Sequence, residues 1–324
     1  MSVTLALAGD TMLGRGVGER LAADPGHALL ADDAAEIARS ADLFVLNLEC
    51  CISERGARVQ EPGKPFFFRA PPVAAERLAE LGVACVTLAN NHALDYGPIA
   101  LRDTLARLRE VGVAAAGAGL DVAAARAPVV LSAQSGVRVR VVAVTDHPSS
   151  FAAGVDRPGV AYGDLARGMP DWLGRAVSPD ADADLVLVSP HWGPNMRAAP
   201  VPHVRRAAAA LEAAGATLVA GHSAHVPQGA RGRTLFDLGD FVDDYAVDAA
   251  LRNDLGLLWL VTLGPDGPER IEGVPLRLRF AHTQLASDVD ATLLLALLEE
   301  RCAAVGASVH RERGRFVFEP TSVA

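Results

Sequence analysis

The feature that most constrains this chain is a repeated local grammar: a short apolar run of strand length ends at once on a carboxylate, carboxamide or imidazole. Residues 3–8 run into Gly9-Asp10, residues 43–46 into Asn47-Leu48-Glu49, and residues 83–88 into Ala89-Asn90-Asn91-His92. Residues 185–188 run into Ser189-Pro190-His191-Trp192-Gly193, and residues 218–220 into Gly221-His222-Ser223-Ala224-His225. Between these runs lie stretches with helical spacing at 27–40, 72–81, 99–111 and 204–214. Further strands are expected at 113–116, 129–131 and 137–144. The alternation predicts an α/β fold, a largely parallel sheet with helices outside it. In such a sheet the strand carboxyl ends share one edge, where ligands bind. Asp10, Glu49, Asn91, His191, His222 and His225 are therefore expected to converge. Mixed nitrogen and oxygen donors suit a divalent metal, one or two ions; the donor set favours Mn, Fe or Zn and does not separate them from Ca or Mg.

Beyond about residue 234 the pattern changes. The runs 257–263 and 269–280 are joined by Gly264-Pro265-Asp266-Gly267, which is the pattern of an antiparallel hairpin. A helix at 285–305 and a strand at 315–318 follow. This divides the chain into a main domain over residues 1–284 and a C-terminal helix and strand extension, 285–324, packed on it. Gly14-Arg15-Gly16-Val17-Gly18 does not fit the dinucleotide fingerprint, and Asp10 stands where a pyrophosphate would approach.

Composition excludes some functions. The chain has 324 residues and a net charge of −9, so a general nucleic-acid or anionic-membrane partner is not expected. The apolar runs are too short to cross a bilayer, and the first ten residues carry no signal-peptide pattern. Cys50, Cys51, Cys85 and Cys302 form no disulfide framework. A cytoplasmic setting is expected, with no membrane contact. Lys64 is the one lysine; every other basic residue is an arginine. An ammonium kept within Gly63-Lys64-Pro65-Phe66-Phe67-Phe68-Arg69 suggests a need that a guanidinium does not meet. Lys64 and Arg69 are accordingly expected to hold a substrate carboxylate or phosphate, with Trp192 as a candidate pocket wall.

Gly9-Asp10-Thr11-Met12-Leu13, Asn47-Leu48-Glu49, Lys64 to Arg69, Asn90-Asn91-His92 to Gly97, His191-Trp192-Gly193 and Gly221 to His225 occur in an order that resembles the motif series of CapA-type proteins. That family was named for bacterial poly-γ-glutamate capsule synthesis and belongs to the calcineurin-like metallophosphatase superfamily. The resemblance implies a four-layer αββα sandwich. It further implies one ion held by Asp10, Glu49 and His225 and another by Glu49, Asn91, His191 and His222, with His92 as proton donor. The chain departs from the pattern at four places. Met12 stands where phosphatases carry a histidine, and Cys50-Cys51 where proline is common. Asp240, in Leu238-Gly239-Asp240-Phe241-Val242, replaces a usual asparagine. Pro194-Asn195-Met196 lacks an acidic residue.

Three functions follow as expectations. Some soluble CapA relatives resemble peptide epimerases of lasso-peptide pathways. On that model the chain is a metal-dependent acid/base enzyme acting on a peptide or small carboxylate substrate and inverting the Cα of a C-terminal residue. His92, Cys51, Asp95 and His147 are the candidate proton-transfer groups, with Asp146 beside His147. The alternatives are a phosphoester hydrolase and a poly-γ-glutamate capsule synthesis or assembly protein.

Overall fold

A computed structural model describes residues 2–319. The strand Val3–Thr11 is buried almost throughout, and its side chains divide by alternation between two cores. Leu5 and Leu7 face a core shared with Val139, Val141, Leu185 and Leu187, which belong to a second sheet. Ala6 and Ala8 face the other way, onto Val17, Leu21, Ala34 and Leu101 from covering helices. Across the molecule the strand Leu185–His191 repeats the pattern, with Val186 and Val188 packed on Leu173, Val204 and Leu211. Two facing sheets with helices on both outsides make the expected four-layer αββα sandwich.

The five strands that end in polar residues thus lie in two sheets rather than one. Val3–Thr11, Leu43–Leu48, Val83–Thr87 and Ala114–Ala116 are parallel neighbours in a ten-stranded sheet. Arg138–Thr145, Leu185–His191, Leu218–Ala220 and Thr234–Asp237 are parallel neighbours in a six-stranded one. A single-sheet reading could not see this, because alternation within a strand does not tell which sheet the strand joins. The hairpin is present as Leu255–Gly264 and Gly267–Arg279, and its first strand pairs antiparallel with Val3–Thr11. Ser308–Glu312 and Arg315–Glu319 extend that same sheet. The helix Asp288–Ala303 adds Ala291, Leu294, Leu298 and Cys302 to the inter-sheet core; it is capped by Ser287 Oγ, which accepts from Asp290 N at 3.1 Å.

Three helices, Arg15–Ala23, Val122–Arg126 and Asp171–Val177, were not expected; in the first, two glycines suppressed the helical signal, and tertiary packing of Val17 and Leu21 outweighs that propensity. Among the described residues no helix is long and apolar enough to cross a membrane.

Trp259 is fully buried between the sheets, stacks against Phe318 at 4.6 Å and donates its indole N–H to Leu238 O at 3.1 Å. Trp259→Ala is expected to cost about 3–5 kcal/mol through the cavity and the lost hydrogen bond, read as a lowered urea midpoint.

Candidate metal centre

The polar residues past the strand ends meet at one edge of the sandwich. Asp10 is placed by the last turn of Val3–Thr11, where Gly9 allows a backbone approach no other residue would. A Cβ there would stand 1.9 Å from Gly239 O, and Asp10 N donates to that same oxygen at 3.0 Å. Asn47 Nδ2 donates to Asp10 Oδ1 at 2.7 Å and fixes the carboxylate. Asn90 in turn donates to Asn47 Oδ1 at 3.0 Å and to Leu48 O at 2.8 Å, tying the second and third strand ends together.

From the opposite sheet, His191 closes its own strand, and His222 N and O are bonded to Pro190 O and Trp192 N at 3.0 Å each. Ser223 (φ 119°) and His225 (φ 62°) hold left-handed backbone conformations that side chains of their kind rarely adopt. Such strain persists only where the surroundings over-determine it; here it turns two imidazoles of one short loop toward the same point.

Two groups of donors come within 4.8 Å of one another: Asp10, His191 and His222; and Asp10, Glu49 and His225. His225 Nδ1 lies 3.2 Å from Asp10 Oδ2, and His222 Nδ1 3.6 Å from Asp10 Oδ1. His191 Nε2 and His92 Nε2 each stand 4.0 Å from Glu49 Oε1. Glu49 Oε1 and Asn91 Oδ1 are buried and take part in no hydrogen bond, although a buried acceptor without a donor is costly. Burial, followed by the charge of Asp10, pushes the Glu49 carboxyl well above the usual carboxylate range. Burial lowers His225, but Asp240, Glu49 and Asp10 outweigh it and raise the imidazole well above its ordinary value. Burial lowers His222 to about 4 despite Asp10. Orphaned acceptors, crowded carboxylates and the His222 imidazole, kept neutral by burial, are what a divalent cation would satisfy, so the residues present fit a metal.

Behind this cluster stands a second one. His92 Nδ1 is 2.6 Å from Asp95 Oδ2, and Phe68 stacks on its ring with centroids 4.0 Å apart. Lys64 Nζ closes the group: it reaches Asp95 Oδ1 at 3.0 Å, Asn91 O at 2.7 Å and His92 Nδ1 at 3.4 Å. Two short contacts hold the ammonium against the protein, while His92 Nδ1, turned to Asp95, only adjoins it. Arg69 lies apart, over the Tyr96 ring at 4.2 Å, donating to Arg55 O and Gly56 O. Trp192 is core: 2 % exposed, its indole N–H donates to Phe236 O at 2.9 Å. Cys51 is buried with Sγ 3.4 Å from Phe68 O, and burial pushes its thiol up to about 12; the structure does not bring it to the cluster. His147 adjoins it, its ring 5.3 Å from that of His191 and its Nδ1 bonded to Asp146. Asp146 Oδ2 accepts from Gly193 N and faces His203 Nε2, each at 3.1 Å.

Sequence reasoning missed three neighbours. Tyr245 donates its hydroxyl to Glu49 Oε2 at 3.1 Å, Asn195 Nδ2 meets His225 Nε2 at 3.1 Å, and Arg15 forms an ion pair with Asp244 at 2.8 Å. Arg15, Phe66, Phe68, His92, Met196 and Tyr245 line a cavity of about 340 Å³ that opens onto the cluster. Asn195 and Asp240 stood out only as departures from a motif; nothing in the sequence marked Tyr245.

An αββα sandwich with carboxylates, an asparagine and histidines gathered at the carboxyl ends of both sheets defines a metallophosphatase-like protein. The model of the bacterial capsule synthesis protein PGA_cap family matches residues 4–245, and the chain belongs to that family. It is 32% identical over 349 aligned positions to a probable polyglutamine synthesis accessory protein of Mycobacterium tuberculosis, covering 92% of this chain and 90% of that one. It is 30% identical to the capsule biosynthesis protein CapA of Bacillus anthracis, over 75% of this chain and 60% of the relative. It is 27% identical to the PGA biosynthesis protein CapA of Bacillus subtilis, over 75% of this chain and 63% of the relative.

Two outcomes are expected here. A carboxyl whose proton is held more tightly in the folded chain stabilises the fold at low pH, and that stabilisation is lost as pH rises through the raised pKa. Metal-free Glu49→Gln is therefore expected to gain stability relative to the parent as pH climbs from about 4 toward neutrality. Saturating Mn2+ reverses the order; urea unfolding at several pH values checks both. Lys64→Met leaves Asp95 buried without its cation and is expected to cost about 3–5 kcal/mol, with a matching fall in melting temperature.

Proposed function

We propose that this chain is a metal-dependent acid/base enzyme of poly-γ-glutamate-type capsule synthesis, acting at a glutamyl carboxylate or amide of the polymer or its precursor. The carrying observation is the convergence of Asp10, Glu49, His191, His222 and His225 beside the His92–Asp95 pair, in a chain whose relatives are named for polyglutamine, PGA and capsule synthesis. Asp10, Glu49 and His225 would hold one ion and Asn91, His191 and His222, with the shared carboxylates, a second. A bound divalent ion supplies Lewis acidity and charge stabilisation at a carbonyl or phosphoryl oxygen.

The protein's own groups supply the rest. Asp95 accepts the Nδ1 proton of His92 and so fixes the tautomer, which leaves Nε2 as the atom that exchanges a proton over Glu49. Phe68 holds the ring from behind, and Lys64 holds Asp95. Tyr245 orients Glu49. The cavity walled by Phe66, Phe68 and Tyr245 seats the chain of the substrate beside these groups and keeps bulk water from them, and Arg15 offers a cation at its rim.

Peptide epimerisation would ask for two proton-transfer groups on opposite faces of one carbon. The Cys51 thiol, buried and turned to Phe68 O, does not furnish one of them, and the names of the relatives favour the capsule reading. The experiment incubates Mn2+-loaded protein with γ-linked oligoglutamate and follows chain length and new termini by mass spectrometry. Turnover is expected to fall about 100-fold or more in His92→Gln, with Mn2+ content retained. Unchanged oligoglutamate with every divalent metal tested, alongside deuterium entering a C-terminal Cα of an α-peptide in heavy water, would return the assignment to epimerisation.

A further inference from the structure

The first ion has a shortage of donors. Asp10, Glu49 and His225 are three groups, and Asp10 is shared with the neighbouring group of His191 and His222. The imidazole that metallophosphatases present two residues after the aspartate is replaced by Met12. That side chain is fully buried in the core, and its Sδ takes the N–H of Gly14 at 3.1 Å. Held by that contact, and a soft thioether in any case, it offers no donor to a hard ion.

Another carboxylate stands in the gap. The strand Asp240–Val242 pairs in parallel with Val3–Thr11, and the register sets Asp240 opposite Asp10. Paired residues on adjacent strands send their side chains to the same face. Asp240 is fully buried; its Oδ1 lies 2.8 Å from His225 Nδ1, the same nitrogen that Asp10 Oδ2 approaches to 3.2 Å. Separations of that size match the edges between adjacent donors around a cation with bonds of about 2.1 Å. The other oxygen, Oδ2, is buried and takes part in no hydrogen bond. A residue that only oriented His225 would need one oxygen and no net charge, and the asparagine common at this place would serve.

We propose that Asp240 is a ligand of the first ion and takes over the coordination place that Met12 vacates. The substitution changes the chemistry of the position as well as restoring its donor count. Three carboxylates and one imidazole make an oxygen-rich, anionic site, which narrows the usual advantage of Zn2+ over harder ions such as Mn2+; an imidazole at position 12 would widen it again. The inference concerns metal occupancy and stands or falls independently of which polymer bond the enzyme acts on.

The test uses the full chain, stripped of metal and equilibrated with Mn2+ or Zn2+, with bound metal counted by plasma mass spectrometry and affinities taken from calorimetry. The parent is expected to bind two Mn2+ per chain. Asp240→Asn, which keeps the shape and the hydrogen bond to His225, is expected to bind one, the weaker position losing about 100-fold or more in affinity. Adding Met12→His to Asp240→Asn restores the second ion and shifts its preference to Zn2+; a role exerted only through His225 predicts no such rescue. Should the doubly substituted chain fail to fold, the Asp240→Asn stoichiometry decides. Two ions in Asp240→Asn with affinities within about threefold of the parent overturn the proposal, as does a parent that holds one ion which the variant keeps. A parent that binds no metal overturns this inference and the metal centre together.

Discussion

The structure depends on the cost of gathering buried carboxylates at one edge of the sandwich. Asp10, Glu49 and Asp240 are each about 1 % exposed or less, and they surround His225. In a low-dielectric setting such a group of like charges cannot all remain ionised. Without a cation the cluster retains protons, which is the physical content of the raised Glu49 carboxyl and the raised His225 imidazole. With a cation the same geometry becomes favourable, so the backbone that holds it, including the left-handed Ser223 and His225, is arranged around a charge balance that the polypeptide does not complete by itself.

Much of the fold was legible because strands and helices announce themselves by period and because a polar residue directly after an apolar run marks a strand's carboxyl end. Asp10, Glu49, His191, His222 and His225 were found by that rule alone. The assignment of strands to two sheets was not legible, since a continuous buried strand looks the same in either; the four layers came from resemblance. Tyr245 follows no strand and carries no motif, and reaches Glu49 across 196 residues only because the 240–245 segment folds back over the strand ends. The helix at Arg15–Ala23 was hidden by its glycines.

Lys64 and Cys51 show where residue identity misleads. The scarcity of lysine singled out Lys64, and the pull toward a ligand-binding role came from the usual use of ammonium groups at clefts. The structure turns the ammonium to Asp95 and to Asn91 O inside the protein. Cys51 follows Glu49 by two residues, yet strand alternation does not continue through that turn. Its short strand Cys51–Ile52 pairs with Arg69–Ala70 instead, and the thiol goes with it. Proximity in sequence to a ligand is a weak guide once the strand has ended.

That internal lysine has a practical corollary. Its side chain is 9 % exposed, and no other side-chain amine exists in the chain. Reagents that acylate side-chain amines therefore find one target, its Nζ lying between the Phe67 and Phe151 rings at 5.7 and 5.6 Å. The rate at which Lys64 is modified therefore reports how often its grip on Asp95 and Asn91 O is released, readable in the one peptide that carries it without any introduced label.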